Sequence, residues 1–185
     1  MKKIVIVGPE STGKSSLCIA LAQHFQSPHV PEYAREFLHT NGTDYRFEDL
    51  LTIAQGQLAG EDAAVKAHPN APYMFIDTDM HVMHVWSTVV FGQEHAYIES
   101  ERAKRHYDLY LLACPDLPWV ADEMREYPDL AMRERLYTIY KDILTHQSTP
   151  WAEVKGFGEA RTQCAIDAVL ASFDFETKMT QNKCT

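Results

Sequence analysis

The segment Gly-Pro-Glu-Ser-Thr-Gly-Lys-Ser at residues 8–15 constrains the fold of this chain more than any other part of the sequence. It fits the pattern GxxxxGK followed by Ser or Thr, and it stands between an apolar run at residues 4–7 and apolar residues at helical spacing. In such a loop the backbone N–H groups converge on phosphate oxygens, and the positive end of the following helix adds favourable charge. The sequence therefore predicts a strand, a phosphate-binding loop and a helix in succession.

Two side chains of this loop have predicted chemical roles in nucleotide binding. Lys14 is expected to reach the transferred phosphoryl group, and the Ser15 hydroxyl is expected to ligate Mg²⁺. The predicted cofactors are ATP and Mg²⁺. The residues of this segment predicted to bind the nucleotide are Gly8, Glu10, Ser11, Thr12, Gly13, Lys14, Ser15 and Ser16.

Short apolar runs alternate with helical patterns along the whole sequence. Strands are predicted at residues 4–7, 30–31, 73–76, 109–112 and 152–154, and helices at 14–25, 47–66, 80–90, 129–146 and 159–173, with a loop at 39–46. This alternation is typical of an α/β fold with a parallel five-stranded sheet and helices on both faces. We expect a single P-loop NTPase domain over residues 1–173 and a polar C-terminal tail over 174–185.

Composition excludes several classes of partner. The net charge of −9 argues against general nucleic-acid binding, which needs a basic surface. No apolar run approaches the roughly 20 residues that span a bilayer, and residues 4–7 suit a core strand better than a signal peptide. The four cysteines form no CxxC pair and are expected to be reduced thiols. We therefore expect a cytoplasmic protein that binds neither nucleic acid nor membranes; its oligomeric state is not predicted.

Three carboxylates follow predicted strands and should lie at the edge of the sheet where ligands bind. Glu32 follows the second strand, whereas Asp77 and Asp79 follow the third. Asp77 has the position of a Walker B carboxylate that orients Mg²⁺, Glu32 is a candidate base, and Asp79 is a candidate for binding a sugar hydroxyl. Other interpretations stay open, because Asp79 can cap the next helix and Glu32 can pair with Arg35. Which carboxylate is the base also stays open.

The loop alone does not separate kinases from GTPases, but a second motif does. A GTPase should carry an Asn-Lys-x-Asp motif on a later strand. Asn182-Lys183 lies in the terminal tail without the aspartate, and the middle of the chain has no DxxG element. The sequence therefore disfavours a GTPase.

Several motifs occur together in an order that identifies a likeness. After residues 8–15 come EYAREF at 32–37, FIDTD at 75–79 and WVADEMR at 119–125, with Arg133 beyond them. This series resembles the nicotinamide riboside kinase domain of NadR-type proteins and the related P-loop kinase-like ATPases. The resemblance implies a nucleoside or nucleotide kinase-like fold with a lid. It also implies ATP-dependent phosphorylation of the 5′-hydroxyl of nicotinamide riboside to give nicotinamide mononucleotide in NAD salvage, with a small-molecule nucleoside as the partner.

The resemblance also implies roles for residues outside the phosphate loop. Arg125 and Arg133 match lid arginines that close over the phosphates, or else they are surface charges. Gln57 and Trp86 lie where such kinases line the nucleoside pocket, since an amide suits the carboxamide of nicotinamide and an aromatic face suits its cationic ring; Trp86 is equally compatible with plain core. Residues 155–161 resemble an adenine-binding loop or form a simple turn, which adds Phe157 and Arg161 to the predicted nucleotide-binding residues.

The predicted site can now be stated in full. Its catalytic residues are Lys14, Glu32, Asp77, Arg125 and Arg133; its substrate-binding residues are Glu32, Tyr33, Gln57, Asp79 and Trp86; its metal ligands are Ser15 and Asp77.

Two alternative functions remain open at this stage. Pro31 stands where the compared family member has an aromatic residue, and this departure leaves room for a nucleotide-binding sensor or regulatory ATPase without a metabolite acceptor. Another nucleoside kinase is the second alternative, although such families usually have Arg directly after the third-strand carboxylate, where this chain has Thr78.

Overall fold

Five parallel strands form the centre of the computed structural model, which describes residues 1–121 and 127–181, the stretch 174–181 by its backbone alone. The strand order is β2-β3-β1-β4-β5, so the first strand of the chain is the middle strand of the sheet. All strand pairs are parallel. The strands are β1 Lys2–Val7, β2 His29–Val30, β3 Tyr73–Asp77, β4 Leu109–Ala113 and β5 Trp151–Val154.

Four of the seven helices within the described residues pack on the two faces of this sheet. On one face α1 and α7 pack against side chains of the central strands such as Ile4 and Ile6. On the other face α4 and α6 contact Val5 and Val7. The helices are α1 Lys14–His24, α2 Tyr33–Asn41, α3 Asp49–Ala67, α4 Met80–Phe91, α5 Ala96–Lys104, α6 Leu130–Thr145 and α7 Gly158–Gln181.

The apolar run at residues 4–7 is explained by its place in the sheet. The side chains of Ile4, Val5, Ile6 and Val7 are all fully buried, because alternate residues face opposite layers of helices and both layers are apolar. The prediction of a parallel five-stranded sheet with helices on both faces is therefore confirmed. No helix within residues 1–121 and 127–181 is both long enough and apolar enough to cross a membrane.

The structure differs most from the prediction at three helices. Helix α2 was not predicted, and it covers the stretch after the predicted second strand together with the start of the predicted loop. It buries little more than Ala34 and Leu38, a pattern too short to stand out as helical periodicity, and α5 was missed for the same reason because it buries Ile98. Helix α7 continues to Gln181, beyond residue 173, where the predicted helix ended.

Candidate active site

A cavity of about 390 Å³ opens at the carboxyl edge of the sheet. The phosphate loop forms one wall of this cavity, and Glu32 and Arg35 lie beside it at the start of α2. Helices α4 and α6 form the opposite wall, together with Tyr45 and Tyr127. The cavity therefore joins a phosphate-binding end to a largely apolar and aromatic end.

The phosphate loop takes the tight shape that its glycines permit. Gly8 has φ +138°, and a Cβ atom there would lie 2.7 Å from the Ala113 carbonyl oxygen, so the loop passes directly against the end of β4. Ser11 and Gly13 have positive φ values of 57° and 75°. Inside the loop, the buried Thr12 hydroxyl donates to the Pro9 carbonyl at 2.8 Å. These contacts fix the loop around the space that phosphates would fill.

Lys14 and Ser15 lie where their predicted roles require them. The Lys14 ammonium donates to the Pro9 carbonyl at 2.9 Å, which keeps its charge across the mouth of the loop. Ser15 follows on the first turn of α1, lines the cavity and hydrogen-bonds to the Asp77 carboxylate. Both residues therefore contact the same small space between the loop and the end of β3.

Asp77 ends β3 beside the central strand, where its backbone pairs with Ile6. Its side chain is buried, and Oδ1 has no hydrogen-bond partner among the described residues. Burial and then the nearby charge of Glu32 raise the pKa of this carboxyl to about 6, although the charge of Lys14 acts against both. A buried carboxylate oxygen without a partner, next to a hydroxyl, is a donor set that Mg²⁺ accepts. The residues present therefore fit a magnesium ion.

Glu32 lies across this space from Asp77, at the position just before α2. Its Oε1 accepts a long hydrogen bond of 3.4 Å from the Thr78 hydroxyl. Thr78 has φ +76°, which is unusual for a β-branched residue, and its N–H donates to the Ile6 carbonyl at 3.2 Å. The chain therefore turns sharply after Asp77, and this turn brings a hydroxyl donor to Glu32.

Gln57 is buried in α3, and its side-chain amide connects this helix to the start of α2 and to the end of β3. Its Oε1 accepts from the Tyr33 N–H at 2.9 Å, and its Nε2 donates to the carbonyls of Thr78 at 3.0 Å and Asp77 at 3.3 Å. Gln57 does not belong to the described residues that line the cavity. The Gln57 amide thus bonds to backbone groups next to Glu32 and at the end of β3.

Asp79 is also buried, and its carboxylate caps α4. Its Oδ1 accepts from the His81 N–H at 3.0 Å, while its Oδ2 accepts from the Tyr110 hydroxyl at 2.9 Å and lies 2.8 Å from His81 Nδ1. The helix-cap interpretation, left open by the sequence, agrees with these contacts. Neither Asp79 nor Tyr33 is among the described cavity-lining residues; the Tyr33 ring packs on Gly56 instead.

Trp86 lines the cavity from α4 and belongs to a small aromatic wall. Its indole N–H donates to the Tyr45 hydroxyl at 2.9 Å, and the two rings meet edge to face with centroids 4.9 Å apart. Tyr127 and Tyr140 line the same end of the cavity. The sequence analysis missed Tyr45, Tyr127 and Arg35 as cavity residues; an aromatic side chain within the polar stretch 39–46 was the one available signal for Tyr45.

Of the two predicted lid arginines, Arg133 lies among the described residues. Arg133 is buried at the start of α6, where its Nη1 donates to the Leu117 carbonyl at 3.2 Å, and its Nε has no partner within the described part of the chain. It therefore supports the connection between β4 and α6. Arg125 lies outside the described residues.

The two residues predicted at the adenine-binding loop, Phe157 and Arg161, differ in burial. Phe157 is 61% exposed, so its ring is available at the surface next to α7. Arg161 is buried behind the phosphate loop, where it forms an ion pair with Asp116 at 2.6 Å and donates to the carbonyls of Thr12 at 2.8 Å and Cys114 at 3.0 Å. Arg161 thus ties the loop to β4, and neither residue appears among the described residues that line the cavity.

The fold and the loop geometry define a P-loop nucleotide-binding protein with a kinase-like architecture. Residues 3–161 match the sequence profile of the family described as AAA domain, and the chain belongs to this family.

Among individual proteins, this chain is similar to NadR. The chain is 28% identical over 159 residues to the trifunctional NAD biosynthesis/regulator protein NadR of Salmonella typhimurium strain LT2 and to that of Escherichia coli strain K12. The match covers 84% of this chain but 38% of each relative, so the chain spans well under half the length of these proteins. The resemblance to NadR-type proteins that the motifs indicated is confirmed.

Solved structures support the same fold. The NadR protein in complex with NR matches with a TM-score of 0.78 and 24% identity, over 92% of this chain and 49% of that one. Thymidylate kinase from Ehrlichia chaffeensis matches with a TM-score of 0.64 and 10% identity, over 92% and 97%. These likenesses confirm the predicted P-loop kinase-like fold.

Proposed function

We propose that this protein is an ATP-dependent small-molecule kinase that phosphorylates the 5′-hydroxyl of nicotinamide riboside and gives nicotinamide mononucleotide for NAD salvage. The observation that carries the proposal is a cavity that combines the phosphate loop, Glu32 and an aromatic wall, with the Asp77 carboxylate bonded to Ser15 of the loop. The 28% identity to NadR and the likeness to a NadR structure solved with NR support this acceptor over others. A cytoplasmic location, expected from the sequence, belongs to the same proposal.

The chemistry follows from the positions of the charged groups. In the proposed reaction Lys14 and the loop N–H groups bind the phosphates of ATP and stabilise the charge of the transferred phosphoryl group. Ser15 and Asp77 would hold Mg²⁺, which supplies further charge neutralisation at the phosphates. Glu32 accepts the proton from the 5′-hydroxyl as the oxygen–phosphorus bond forms and the bond to ADP breaks. Thr78 helps to aim Glu32 through its hydroxyl.

The acceptor end suits a flat cationic ring. Trp86 and Tyr45 bring two aromatic rings to this end, and the face of such a ring attracts a pyridinium ring by cation–π interaction. Together they supply the aromatic surface that Pro31 does not. Asp79, Tyr33 and Gln57, predicted to bind substrate, would act in this proposal from behind the cavity wall.

The remaining predicted residues complete the proposed nucleotide site. Arg133 stays a candidate for phosphate binding because its buried Nε has no partner among the described residues, and Arg125 stays a candidate from the motif alone. Phe157 is exposed beside the loop that resembles an adenine site, whereas Arg161 would contribute by holding the phosphate loop.

The proposal is tested by a coupled ADP-release assay with Mg·ATP and a panel of nucleosides. The panel holds nicotinamide riboside, nicotinic acid riboside, uridine, adenosine and thymidine, with the Lys14→Ala variant as the matched control. We expect the highest kcat/KM for nicotinamide riboside and product of one added phosphate by mass. If no nucleoside raises ADP release above the rate with water alone, the kinase proposal is wrong.

A regulatory ATPase is the second candidate, because Pro31 replaces the aromatic residue of the compared family member. It would bind ATP and hydrolyse it slowly at a rate that no member of the panel changes. Turnover of a different nucleoside in the panel would instead identify another nucleoside kinase.

A further inference from the structure

Glu10, in the phosphate loop, bonds through its carboxylate to a distant part of the chain. Its Oε1 accepts from the indole N–H of Trp119 at 3.0 Å and from the backbone N–H of Tyr127 at 2.8 Å. Both donors lie on the connection between β4 and α6, more than a hundred residues further along the chain. One carboxylate oxygen therefore joins two separate points of this connection to the phosphate loop.

Ser11 makes parallel contacts with the same connection. Its hydroxyl accepts from the Val120 N–H at 3.1 Å and donates to the Pro118 carbonyl at 3.5 Å. A side chain at Gly13 would meet Leu117, since a Cβ atom there would lie 3.1 Å from Leu117 Cδ1. Three positions of the loop thus contact the connection, two of them through side-chain hydrogen bonds.

The connection carries a residue of the acceptor end. Tyr127 lines the cavity together with Trp86 and Tyr45, and its N–H is one of the two donors to Glu10. The position of this part of the wall is therefore fixed by a side chain of the phosphate loop. A backbone N–H held by a charged oxygen is a strong and directional contact.

We propose that Glu10 is a positioning residue for the acceptor: its carboxylate holds Trp119 and Tyr127 on the phosphate loop and so sets the distance between the ATP end and the nucleoside end of the cavity. In this proposal the Glu10 side chain positions the cavity wall, whereas the sequence pattern predicts that Glu10 binds the nucleotide. The kinetic part of the proposal rests on the proposed kinase function, but the hydrogen-bonding part does not.

The choice of variants follows from the two donors. Glu10→Ala removes the acceptor for both N–H groups. Glu10→Gln keeps an amide oxygen that can accept both bonds without the charge. Glu134→Ala, at an exposed position on α6, is the control for the loss of one negative charge.

The hydrogen-bonding part is tested by the indole ¹H–¹⁵N spectrum of the protein without acceptor. Trp119→Phe assigns the resonance of Trp119. We expect Glu10→Ala to shift this resonance and speed its exchange with solvent, while the resonances of Trp86 and Trp151 move little; Glu10→Gln and Glu134→Ala should keep the wild-type pattern. An unchanged Trp119 resonance in Glu10→Ala would overturn the proposal, whether or not the wild-type protein turns over any nucleoside.

The kinetic part is tested with the acceptor that the wild-type protein turns over. Glu10→Ala should raise KM for the nucleoside about tenfold, whereas its Kd for a non-hydrolysable ATP analogue should change less than about threefold, and Glu10→Gln should recover most of the loss. Equal weakening of ATP and nucleoside binding would mean that Glu10 supports the loop alone, and the proposal would then be wrong. If the wild type turns over no nucleoside, the kinase proposal fails separately and the indole spectrum decides this one.

Discussion

The aromatic ring of Tyr33 lies directly against Gly56. A Cβ atom at position 56 would lie 2.1 Å from Tyr33 Cε1 and 2.3 Å from Cδ1, closer than any side chain tolerates. The Tyr33 backbone N–H bonds to Gln57, the next residue of α3. Two consecutive positions of α3 therefore fix the start of α2, and with it Glu32 one residue earlier.

This contact predicts opposite effects of the same change at two glycines of α3. Gly56→Ala should lower the free energy of unfolding by about 1–3 kcal/mol, because the Tyr33 ring must move out of its packed position. Gly60→Ala is the control, since its Cβ would meet Val30 Cγ1 at an ordinary 3.5 Å. Alanine should be neutral there or stabilise the helix by up to about 1 kcal/mol. Urea denaturation measures both; equal effects would contradict the packing described.

Gln57 offers a way to separate support of the site from contact with substrate. Gln57→Leu should lower the free energy of unfolding by about 1–3 kcal/mol, because the Tyr33 N–H and the carbonyls of Asp77 and Thr78 lose their buried partner. It should also lower kcat, since Glu32 and Asp77 lose their fixed positions. If Gln57 instead binds the carboxamide of the acceptor, the variant will raise KM for the nucleoside and leave stability unchanged.

Lys14 carries the charge that the loop brings to the phosphates. Lys14→Ala should reduce phosphoryl transfer by roughly a thousandfold, on the scale of other lost transition-state contacts. The melting temperature should change little, because among the contacts described the ammonium makes one hydrogen bond, to the Pro9 carbonyl. Lys141→Ala, which removes a half-exposed ammonium from Glu153, is the charge control and should keep full activity. Retained transfer in Lys14→Ala would mean that the loop is not the catalytic cradle.

Trp86 tests the aromatic end of the cavity. Trp86→Leu should raise KM for nicotinamide riboside about tenfold through loss of the cation–π face, with KM for ATP unchanged. Trp86→Phe and Tyr45→Phe each remove one partner of the bond between the two side chains but keep an aromatic ring, so both should cost less. Equal effects of Trp86→Leu on charged and uncharged nucleosides would argue against recognition of the cationic ring.

Glu61 predicts a pH dependence of stability that is independent of the active site. It is buried in α3, and both of its oxygens accept from the Tyr107 hydroxyl at 3.1 Å. Burial raises the pKa of this carboxyl from 4.5 to about 7, and the charge of Asp79 adds to the effect. The folded protein thus holds a proton that the unfolded chain loses, so the contribution is full below pH 4.5 and is lost as the pH rises to about 7.

The measurement compares the wild type with Glu61→Gln, which keeps an oxygen for Tyr107 but does not titrate. The difference in unfolding free energy, wild type minus variant, should fall between pH 4.5 and 7 by an amount on the order of 3 kcal/mol. Urea denaturation at half-unit pH steps measures this difference. A difference that stays constant over the range would show that the Glu61 pKa is not raised.

The parts of the fold that the sequence predicted are those written in contiguous residues. The run at residues 4–7 identified the central strand because every one of its side chains is buried, and the loop at 8–15 is a contiguous motif that leads directly into α1. The start of α6 was predicted to one residue, since Asp129 caps it with a bond to the Ala131 N–H. Elements whose causes lie within a few consecutive residues could therefore be predicted from the sequence.

The site was harder to predict because its partners come from distant segments. Gln57 was expected to face the acceptor, yet its amide is satisfied by backbone groups that no sequence pattern places beside it. Tyr45 and Tyr127 line the cavity although they are far apart in the sequence, and neither follows a strand directly. Residue type and spacing gave the chemistry that the site contains, while packing decided which side chains line it.

Synthesis on the ribosome delivers β1 first, although β1 is the middle strand of the sheet. Its neighbours β3 and β4 begin at Tyr73 and Leu109, and Arg161, which supports the phosphate loop from behind, is made later still. The phosphate loop is therefore made before the segments that hold its folded shape. Until β3 and β4 have been made, β1 is an apolar strand without its neighbours, the kind of exposed segment that chaperones protect from aggregation.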